Sequence, residues 1–388
     1  MPKLIRITTV PVSMQVLLKG QMKFMQQHGF EVTMVSSDGA EVIALEEQEC
    51  CKHIAVTLTR KISPLTDLVS LVKLIRLFRK LKPDIVHTHT PKAGLLGMWA
   101  ALLAGVPVRL HTIAGLPWME STGLLRNILR TAEKLTAMPA CMIYPNSLKL
   151  QQFLLKQNIA RGKMKVLGKG SSNGIDSDFF SITEELLKEG SGLREERNVG
   201  TDAWVWIFVG RLVKDKGIGE LLDAFVKTQV EFPGDRLWLL GTEEPELDPL
   251  EEKHKKILET NTAIQCWGFQ HDIRPYLAAA QVLVFPSYRE GFPNVPMQAG
   301  SMGCMLLLTD INGCNEIVQH NENGLLVPAK NTAELAAAML YIRRHPQMRD
   351  AYASAIQKKI RQDYDQKNLW NLILHEYHFW LSEKKVTR

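Results

Sequence analysis

Residues 288–300, "YREGFPNVPMQAG", combine an acid with an amide eight positions further on. Glu290 opens a Gly-Phe-Pro turn, in which Gly291 lets backbone approach a ligand closely and Pro293 restricts the chain. Gln298 then falls inside the following helix, so the acid and the amide can face one ligand from two directions. A carboxylate accepts hydrogen bonds from sugar hydroxyls, and a ribose diol offers two adjacent donors. The alternative is that Glu290 is a surface acid and Gln298 an ordinary helical residue.

A second segment, "VGRLVKDKG" (209–217), places Arg211 and Lys216 near the start of a helix. Free N–H groups and the helix dipole already attract phosphate at such a position. Arg adds a two-point fork, and Lys adds a compact charge. Together they suit a diphosphate, particularly one that becomes a leaving group. Two solvent-facing charges after a strand are the alternative.

Strand-like apolar runs alternate with helix-length segments along the whole chain, which predicts parallel strands covered on both faces. Both segments above follow such a run, where ligands of open parallel sheets bind. We therefore predict an α/β fold of two Rossmann-like, doubly wound domains facing a central cleft. The predicted strands lie near 4–10, 31–36, 84–87, 106–111, 142–145, 204–210, 237–241, 264–268, 282–286, 305–309 and 325–327.

A chain of 388 residues is too long for one ordinary core. The glycines and serines of "GKGSSNGID" break any helix or strand, and we place the domain boundary there. The predicted domains are 1–172 and 173–345, followed by C-terminal helices over 346–388.

Charge is distributed unevenly. Residues 1–175 carry 23 Lys and Arg against 10 Asp and Glu, a net charge of +13, and the remainder has a net charge of −7. This asymmetry points to an anionic partner for the first half, such as nucleic acid, a phosphate-bearing substrate or an acidic membrane surface. Solvated helix faces explain part of the excess.

Other classes of protein are excluded by simpler features. The start of the chain lacks the pattern of a signal peptide. The longest uncharged stretch, 93–108, is shorter than the roughly 20 residues that span a bilayer, so it predicts a buried helix. The six cysteines show neither C-x-x-C pairs nor metal spacing, which indicates free thiols in a reducing cytoplasm.

Taken in order, the motifs resemble the family 4 retaining glycosyltransferases, which have the two-Rossmann GT-B fold. "YREGFPNVPMQAG" resembles their E-x7-E signature with an amide at the second position, and "VGRLVKDKG" their G-R-x-x-x-x-K-G segment. "NGID" (173–176) is similar to their N-G-V-D crossover, and "GCNEIV" (313–318) to their G-G-x-x-E-I-V. "HTHTPKAGLLG", "RLHTIAGLP" and "GSSNGID" resemble bacterial transferases that build capsular or other lipid-linked glycans.

The resemblance implies that 1–172 binds the acceptor and 173–345 the nucleotide sugar, and that the C-terminal helices pack back on the first domain. Arg211 and Lys216 would hold the nucleotide diphosphate. Glu290 would contact the donor sugar or its phosphate side, with backbone contacts from the residues that follow it: Gly291, Phe292 and Pro293.

The same resemblance assigns the ribose hydroxyls to Gln298, and we expect binding about 1 kcal/mol weaker than with a carboxylate, because the amide lacks charge assistance. His111 matches the position of an active-site histidine at the mouth of the donor pocket; a strand-end histidine satisfied by backbone is the alternative. His87 and His89 alternate in "HTHT" and so share one face of an extended segment. Metal binding there would need further ligands.

The implied reaction transfers an N-acetylhexosamine or hexose from a UDP-sugar to a hydroxyl of a lipid-linked glycan, with retention. No carboxylate is spaced as a nucleophile for double displacement, so same-face attack is implied, assisted by the departing diphosphate. Arg211, Lys216 and helix dipoles can replace a divalent metal, and we predict that neither metal nor cofactor is needed. The alternatives are a UDP-sugar 2-epimerase and a non-catalytic sugar-nucleotide-binding protein.

The acceptor implied by the resemblance carries a polyprenyl diphosphate at the inner face of the cytoplasmic membrane, which suits the basic first half. We predict peripheral contact of this cytoplasmic protein with that surface, and no nucleic acid, because no nucleic-acid module accompanies the charge. The predicted docking cations are Lys73, Arg76, Arg79, Lys80, Lys82, Arg126, Arg130 and Lys134.

Overall fold

The computed structural model describes residues 1–59, 62–116, 118, 122–244 and 248–386. The segment "RLHTIAGLP" thus ends on a residue, Pro117, outside the described part of the chain. Contacts divide the chain into two compact units. The first comprises Met1–Gly174 together with Gln366–Arg388, and the second comprises Ile175–Asp365.

The first unit contains a parallel sheet whose strands lie in the order β3-β2-β1-β4-β5-β6. The strands are β1 (Lys3–Ile7), β2 (Glu31–Ser36), β3 (Lys52–Ala55), β4 (Ile85–His89), β5 (Val108–Ile113) and β6 (Met142–Pro145). The helices between and after them are α1 (Pro11–Leu17), α2 (Gln21–Gln27), α3 (Val42–Glu49), α4 (Pro64–Leu81), α5 (Pro91–Leu103), α6 (Gly123–Ala137) and α7 (Leu148–Lys156).

The second unit repeats this topology with the order β12-β11-β10-β7-β8-β9. Its strands are β7 (Val205–Val209), β8 (Arg236–Leu240), β9 (Ile264–Gly268), β10 (Val282–Phe285), β11 (Met305–Thr309) and β12 (Leu325–Val327). Its helices are α8 (Glu184–Glu196), α9 (Ile218–Glu231), α10 (Glu252–Thr260), α11 (Arg274–Ala279), α12 (Asn294–Ser301), α13 (Cys314–Ile317), α14 (Thr332–Arg344) and α15 (Pro346–Asp363). A final helix, α16 (Gln366–Val386), returns to the first unit.

Burial explains why both sheets are parallel. Every residue of β4 in the first sheet and of β7 in the second is buried, so helices must cover both faces of these central strands. The predicted α/β class with two doubly wound sheets is confirmed. The apolar pattern does not predict β3, because this edge strand has four residues and none of them is fully buried.

Helix α4 buries only part of the face that the sequence predicts. The spacing of its apolar residues puts Leu68, Leu71, Val72, Ile75 and Phe78 on one inner face. Phe78 is buried, but Leu68 and Val72 are exposed, and Ser70 and Leu74 are buried in their place. An apolar stripe on α4 is therefore left uncovered within the first unit.

The predicted boundary at 172/173 differs slightly from the structure, which keeps Asn173 in the first unit. The carboxamide of Asn173 donates to the Lys19 carbonyl at 3.0 Å and accepts from Gln21 and from the Trp370 indole. These bonds anchor the end of the first unit at Gly174.

The segment 346–388 does not stay together as predicted. Helix α15 buries Ile356 and Ile360 in the apolar core of the second unit. Helix α16 buries Leu369, Ile373 and Tyr377 in the first unit. The chain divides at Asp365 because the two helices present their apolar residues to different cores.

Candidate functional site

The strand order of the second sheet reverses between β7 and β10. These two strands pair with each other, while β8 continues the sheet on one side and β11 on the other. Loops that leave neighbouring strands toward opposite sides open a crevice at the carboxyl ends. The segments 210–217 and 286–293 are these two loops, so the topology brings both motifs to one crevice.

Lys216 lies in the connection between β7 and α9. A short 3₁₀ turn spans Lys214–Lys216, and Gly217 then adopts φ +70°, which favours glycine. A Cβ at Gly217 would lie only 2.2 Å from the carbonyl oxygen of Pro286. The start of α9 is therefore held tightly against the loop that follows β10.

Lys216 and Glu290 form an ion pair across this crevice. The Lys216 Nζ lies 2.5 Å from the Glu290 Oε1, although the two residues are 74 positions apart in the sequence. Their side chains are only 15% and 16% exposed, so the pair is poorly screened by solvent. Two residues that separate motifs single out are thus in direct contact.

The turn after Glu290 packs against the segment that begins at Asn312. The Asn312 side chain donates to the Gly291 carbonyl at 2.9 Å. Gly313 has φ +79°, and a Cβ there would lie 2.5 Å from the same carbonyl and 2.9 Å from Pro293. The motif "GCNEIV" therefore shapes the turn that carries Gly291, Phe292 and Pro293.

The same loop is fixed to α9 on its other side. The Tyr288 amide donates to the Asp215 carbonyl at 2.9 Å, and its hydroxyl donates to Glu220 at 2.6 Å. The Arg289 guanidinium pairs with Asp215 at 2.8 Å. Burial and the bond to Glu220 raise the pKa of Tyr288, so the phenol stays a donor. The loop is held at several points.

Arg211 has a carboxylate partner of its own. Its Nη1 lies 2.7 Å from Glu244 Oε2, just beyond the end of β8. Both side chains remain partly exposed, so this pair is weak and a diphosphate can compete for the guanidinium. Each predicted phosphate-binding cation is thus paired with an acid.

Gln298 is the fifth residue of α12, one turn inside that helix, and it is half-buried. Within the residues that the structure describes, its carboxamide makes no hydrogen bond. Both its donor and its acceptor are therefore available to a diol.

His111 lies inside the first unit. Its Nδ1 is 2.8 Å from the Thr88 hydroxyl, and its Nε2 is 3.8 Å from Glu133. A Cβ at Gly94 would lie 2.4 Å from the ring, so α5 presses directly on it. The ring is buried between β5 and the helices α5 and α6, and its contact with a donor sugar stays a prediction.

A buried polar network in the first unit was not predicted. Arg6 is fully buried and donates to the Tyr377 hydroxyl at 2.6 Å and to Gln21 at 2.7 Å. His87 bonds the same Tyr377 hydroxyl at 2.7 Å and Thr112 at 2.8 Å. Arg6 could have been identified from the sequence, because it is a lone cation inside the apolar strand "LIRI". No local sequence feature identifies Tyr377.

Phe269 is another residue that the motifs miss. It directly follows β9, at the carboxyl edge of the second sheet, and is 66% exposed. Its ring meets the His271 ring edge-on at 5.0 Å. An aromatic residue directly after a predicted strand was the signal that could have identified it.

Asp-x-Asp spacing occurs at 176–178 and 363–365. In the structure Asp176 accepts from the Phe179 amide, Asp363 pairs with Lys359, and Asp365 accepts from Ser177. Among the described residues, no group of three or more His, Cys, Asp or Glu is placed to hold a metal ion.

Comparison with known proteins identifies the family. Residues 7–147 match the model described as "Glycosyl transferase 4-like", and residues 203–345 match "Glycosyl transferases group 1". The chain is 30% identical over 384 residues to the capsular polysaccharide biosynthesis glycosyltransferase CapM of Staphylococcus aureus, covering 99% of this chain and 98% of that one. The chain therefore belongs to the GT-B glycosyltransferases with these two domains, and it is a glycosyltransferase.

Two further relatives complete the comparison. An Escherichia coli UDP-Gal:α-D-GlcNAc-diphosphoundecaprenol α-1,3-galactosyltransferase is 27% identical over 324 residues, 81% of this chain and 80% of that one. The crystal structure of Anabaena HepE in complex with UDP superposes with a TM-score of 0.82 at 21% identity, covering 97% of this chain and 100% of that one. Family membership favours transfer over the epimerase and over a non-catalytic binding protein.

Proposed function

We propose that this glycosyltransferase moves an N-acetylhexosamine or hexose from a UDP-sugar to a hydroxyl of a polyprenyl-diphosphate-linked glycan, in the biosynthesis of a capsule or other surface polysaccharide. The observation that carries the proposal is the Lys216–Glu290 pair at the strand-order reversal of the second sheet. The names of the S. aureus and E. coli relatives support the glycan and the lipid carrier, and the UDP in the HepE structure supports the donor.

Each part of the donor has a candidate partner. Lys216, at the start of α9, and Arg211 bind the diphosphate, displacing their present acidic partners. The free carboxamide of Gln298 binds the ribose diol. The exposed ring of Phe269 offers a surface on which the base stacks. Glu290 and the backbone of the turn after it contact the sugar.

In the proposed reaction the bond between the anomeric carbon and the diphosphate oxygen breaks, and a bond from the same carbon to the acceptor oxygen forms. The acceptor proton passes to the departing diphosphate, which leaves as UDP. The attack occurs on the face that the leaving group vacates, so configuration is retained. The residues contribute by positioning and by stabilising the charge that develops on the diphosphate.

Metal independence is part of the proposal. Lys216 and Arg211 carry fixed positive charge, and the dipole of α9 adds to it at the same end. These groups stabilise leaving-group charge in the way that a divalent cation does in other transferases. EDTA is therefore expected to leave turnover unchanged.

The decisive experiment incubates the purified protein with UDP-, GDP- and dTDP-sugars, EDTA and membrane-extracted acceptor lipids. We expect EDTA-resistant release of one nucleoside diphosphate, UDP, coupled to a glycosylated lipid with a retained anomeric centre by NMR. The same assay on Glu290→Ala should show almost no release.

A matched control is Lys214→Ala, which removes an exposed cation from the same 3₁₀ turn as Lys216. This variant should keep the wild-type rate. Nucleotide release that stops with EDTA would refute metal independence, and an inverted product would refute retention.

Contact with an anionic membrane is also proposed, through a surface that we call the α4–α6 face. It consists of exposed apolar residues at the starts of both helices and of the cations that follow them. Both helices start at the carboxyl edge of the sheet, because they follow β3 and β5. The apolar members, led by Leu65 and Leu124 at 84% and 76% exposure, are Leu65, Leu68, Val69, Val72, Leu124, Leu125 and Ile128.

Exposed apolar side chains beside cations are the pattern of a helix that lies in a membrane interface. Exposed cations on the same helices include Lys73, Arg76 and Arg126. No helix among the described residues has the length and apolar character needed to cross a bilayer. Contact at the surface of the bilayer is the form that we propose.

Vesicle flotation tests this face. We expect binding to phosphatidylglycerol vesicles, and the double variant Leu65→Ser/Leu124→Ser should bind at least about 10-fold more weakly, because even one buried Leu contributes about 1.5 kcal/mol, which corresponds to about tenfold. Leu187→Ser, which alters an exposed leucine on α8 of the second unit, is the control and should bind normally. Equal binding by both variants would rule out the α4–α6 face.

A further inference from the structure

The first unit contains a small cavity at the carboxyl ends of β4, β5 and β6. Its space for the centre of a water-sized sphere is about 10 Å³, enough for one water molecule or one hydroxyl group. Helix α16 supplies part of the apolar wall with Leu369 and Ile373. The polar lining consists of Gln21, His87, His89, Thr112, Tyr144, Ser171 and Ser172.

His89, the last residue of β4, is the unusual member of this lining. The residue is only 2% exposed, and neither ring nitrogen has a hydrogen-bond partner among the residues that the structure describes. Its neighbour His87, whose ring centroid is 4.4 Å away, has both nitrogens bonded. A buried polar atom without a partner is energetically unfavourable, so a polar group that occupies the cavity and bonds His89 would be stabilising.

The chemistry of the lining selects the kind of occupant. Burial, together with His87 and the Arg6 charge, lowers the pKa of His89 well below its usual range, so the ring is neutral. A neutral imidazole has one N–H donor and one acceptor nitrogen. The Ser172 hydroxyl oxygen is buried and also has no partner in the described part of the chain, so it adds a second group that both donates and accepts.

A hydroxyl group matches this set, since it too donates one hydrogen bond and accepts others. A cation is disfavoured by the buried guanidinium of Arg6, which belongs to the same polar network through Gln21. The cavity also lies where open parallel sheets bind their ligands. The volume, the polar lining and the position of the cavity therefore all favour one small neutral group as its occupant.

We infer that this cavity is a hydroxyl-binding subsite: it holds water in the free protein and takes a hydroxyl of a saccharide that docks at this sheet edge, with His89 as the discriminating contact. The saccharide as ligand rests on the proposed function. His89 is thereby assigned to binding, whereas His87, with both nitrogens bonded internally, is a structural residue.

The test is NMR of the full-length protein labelled with ¹⁵N and ¹³C at histidine. The His89 ring signals are assigned with His89→Gln and followed during titration with glucose, galactose, N-acetylglucosamine and N-acetylgalactosamine up to 200 mM. We expect a saturable shift of His89 with at least one saccharide, larger than any shift of His87, whose ring also lines the cavity but has both nitrogens bonded internally. Ser172→Ala, at the rim, should weaken that saccharide's binding several-fold without unfolding the protein.

Two results would overturn the inference: no saturable shift of His89 with any saccharide, or a shift with inorganic phosphate instead, which would make the cavity an anion site. UDP added to the same sample tests the proposed function separately, because His271 contacts Phe269 and should respond to nucleotide. A silent His271 with a responsive His89 would reject the UDP donor and keep the subsite.

Discussion

The two sheets share one strand order but differ at their carboxyl edges. In the second unit the polar groups lie on loops, and their ion pairs remain partly open to solvent, as Arg211 and Glu244 show. In the first unit they lie on the strands themselves, and α16 covers them, so Arg6 is fully buried beneath Tyr377.

The two units therefore use the same strand order for different purposes: the second positions loop groups that solvent can reach, and the first encloses a buried polar network. Loop cations that can exchange a carboxylate for a diphosphate need access to solvent, and their replacement should affect chemistry more than folding. A buried guanidinium has no access to water, so every hydrogen bond that it makes supports the native state. Substitutions in the two units should separate activity from stability.

The largest effect is expected for a substitution in the second unit. Lys216→Ala removes a cation that stabilises leaving-group charge, and we expect kcat/KM for transfer to fall by about 100-fold or more. The midpoint of urea unfolding should shift less than for a fully buried charge, because the Glu290 side chain that is left unpaired is still 16% exposed. A large loss of stability with a small loss of rate would break the comparison.

The next effect belongs to the first unit. Tyr377→Phe deletes the hydroxyl that accepts from Arg6 and bonds His87, leaving a buried charge short of a partner. We expect the free energy of unfolding to fall by about 2–3 kcal/mol. UDP affinity, measured by calorimetry, should remain within about twofold. Tyr341→Phe, on the surface of α14, serves as the control for unfolding.

Acid should weaken the first unit through its buried histidines. Burial lowers the pKa of His87 and of His89 well below 6.5, so the folded protein leaves both rings neutral while the unfolded chain protonates them. The free energy of unfolding should therefore fall as pH drops below about 6.5, by up to about 1.4 kcal/mol per pH unit for each ring. Urea unfolding between pH 7.5 and 4.5 measures this slope.

His89→Gln removes one of the two groups, so the pH-dependent loss of stability should be smaller in this variant, by up to about 1.4 kcal/mol per pH unit. A slope that is the same in the variant and the wild type would mean that His89 titrates normally in the folded protein.

The smallest effect concerns the Arg211–Glu244 pair. Glu244→Gln frees the guanidinium from its partly exposed partner, and exposed pairs contribute only about 0.2–1 kcal/mol. We expect UDP to bind about two- to threefold more tightly by calorimetry, with Glu259→Gln as an unaffected control on α10. Weaker UDP binding in Glu244→Gln would show that Glu244 orients Arg211 for the nucleotide.

The fold was largely predictable because apolar runs such as that of β7 report burial on both faces, which is local information. The candidate site of the second unit could also be predicted, since Arg211, Lys216 and Glu290 lie in the loops that follow predicted strands. The contact between Lys216 and Glu290 depends on strand order, which cannot be deduced from the local sequence pattern.

The remaining features depend on distant partners. Tyr377 is an ordinary helical residue until its helix meets Arg6, which lies 371 positions earlier in the chain. The inner face of α4 was misassigned because Leu68 and Val72 are as apolar as the residues that are buried, so hydrophobic periodicity alone does not distinguish core from exposed stripe. The edge strand β3 lacks any apolar run.

The return of α16 to the first unit has a consequence for biosynthesis. Arg6 is synthesised 371 positions before Tyr377, so the polar interior of the first unit cannot close until α16 has been made. The second unit is continuous from Ile175 to Asp365, so the whole of it is synthesised before α16. The second unit can therefore fold before the first unit is complete, although the first unit begins earlier in the chain.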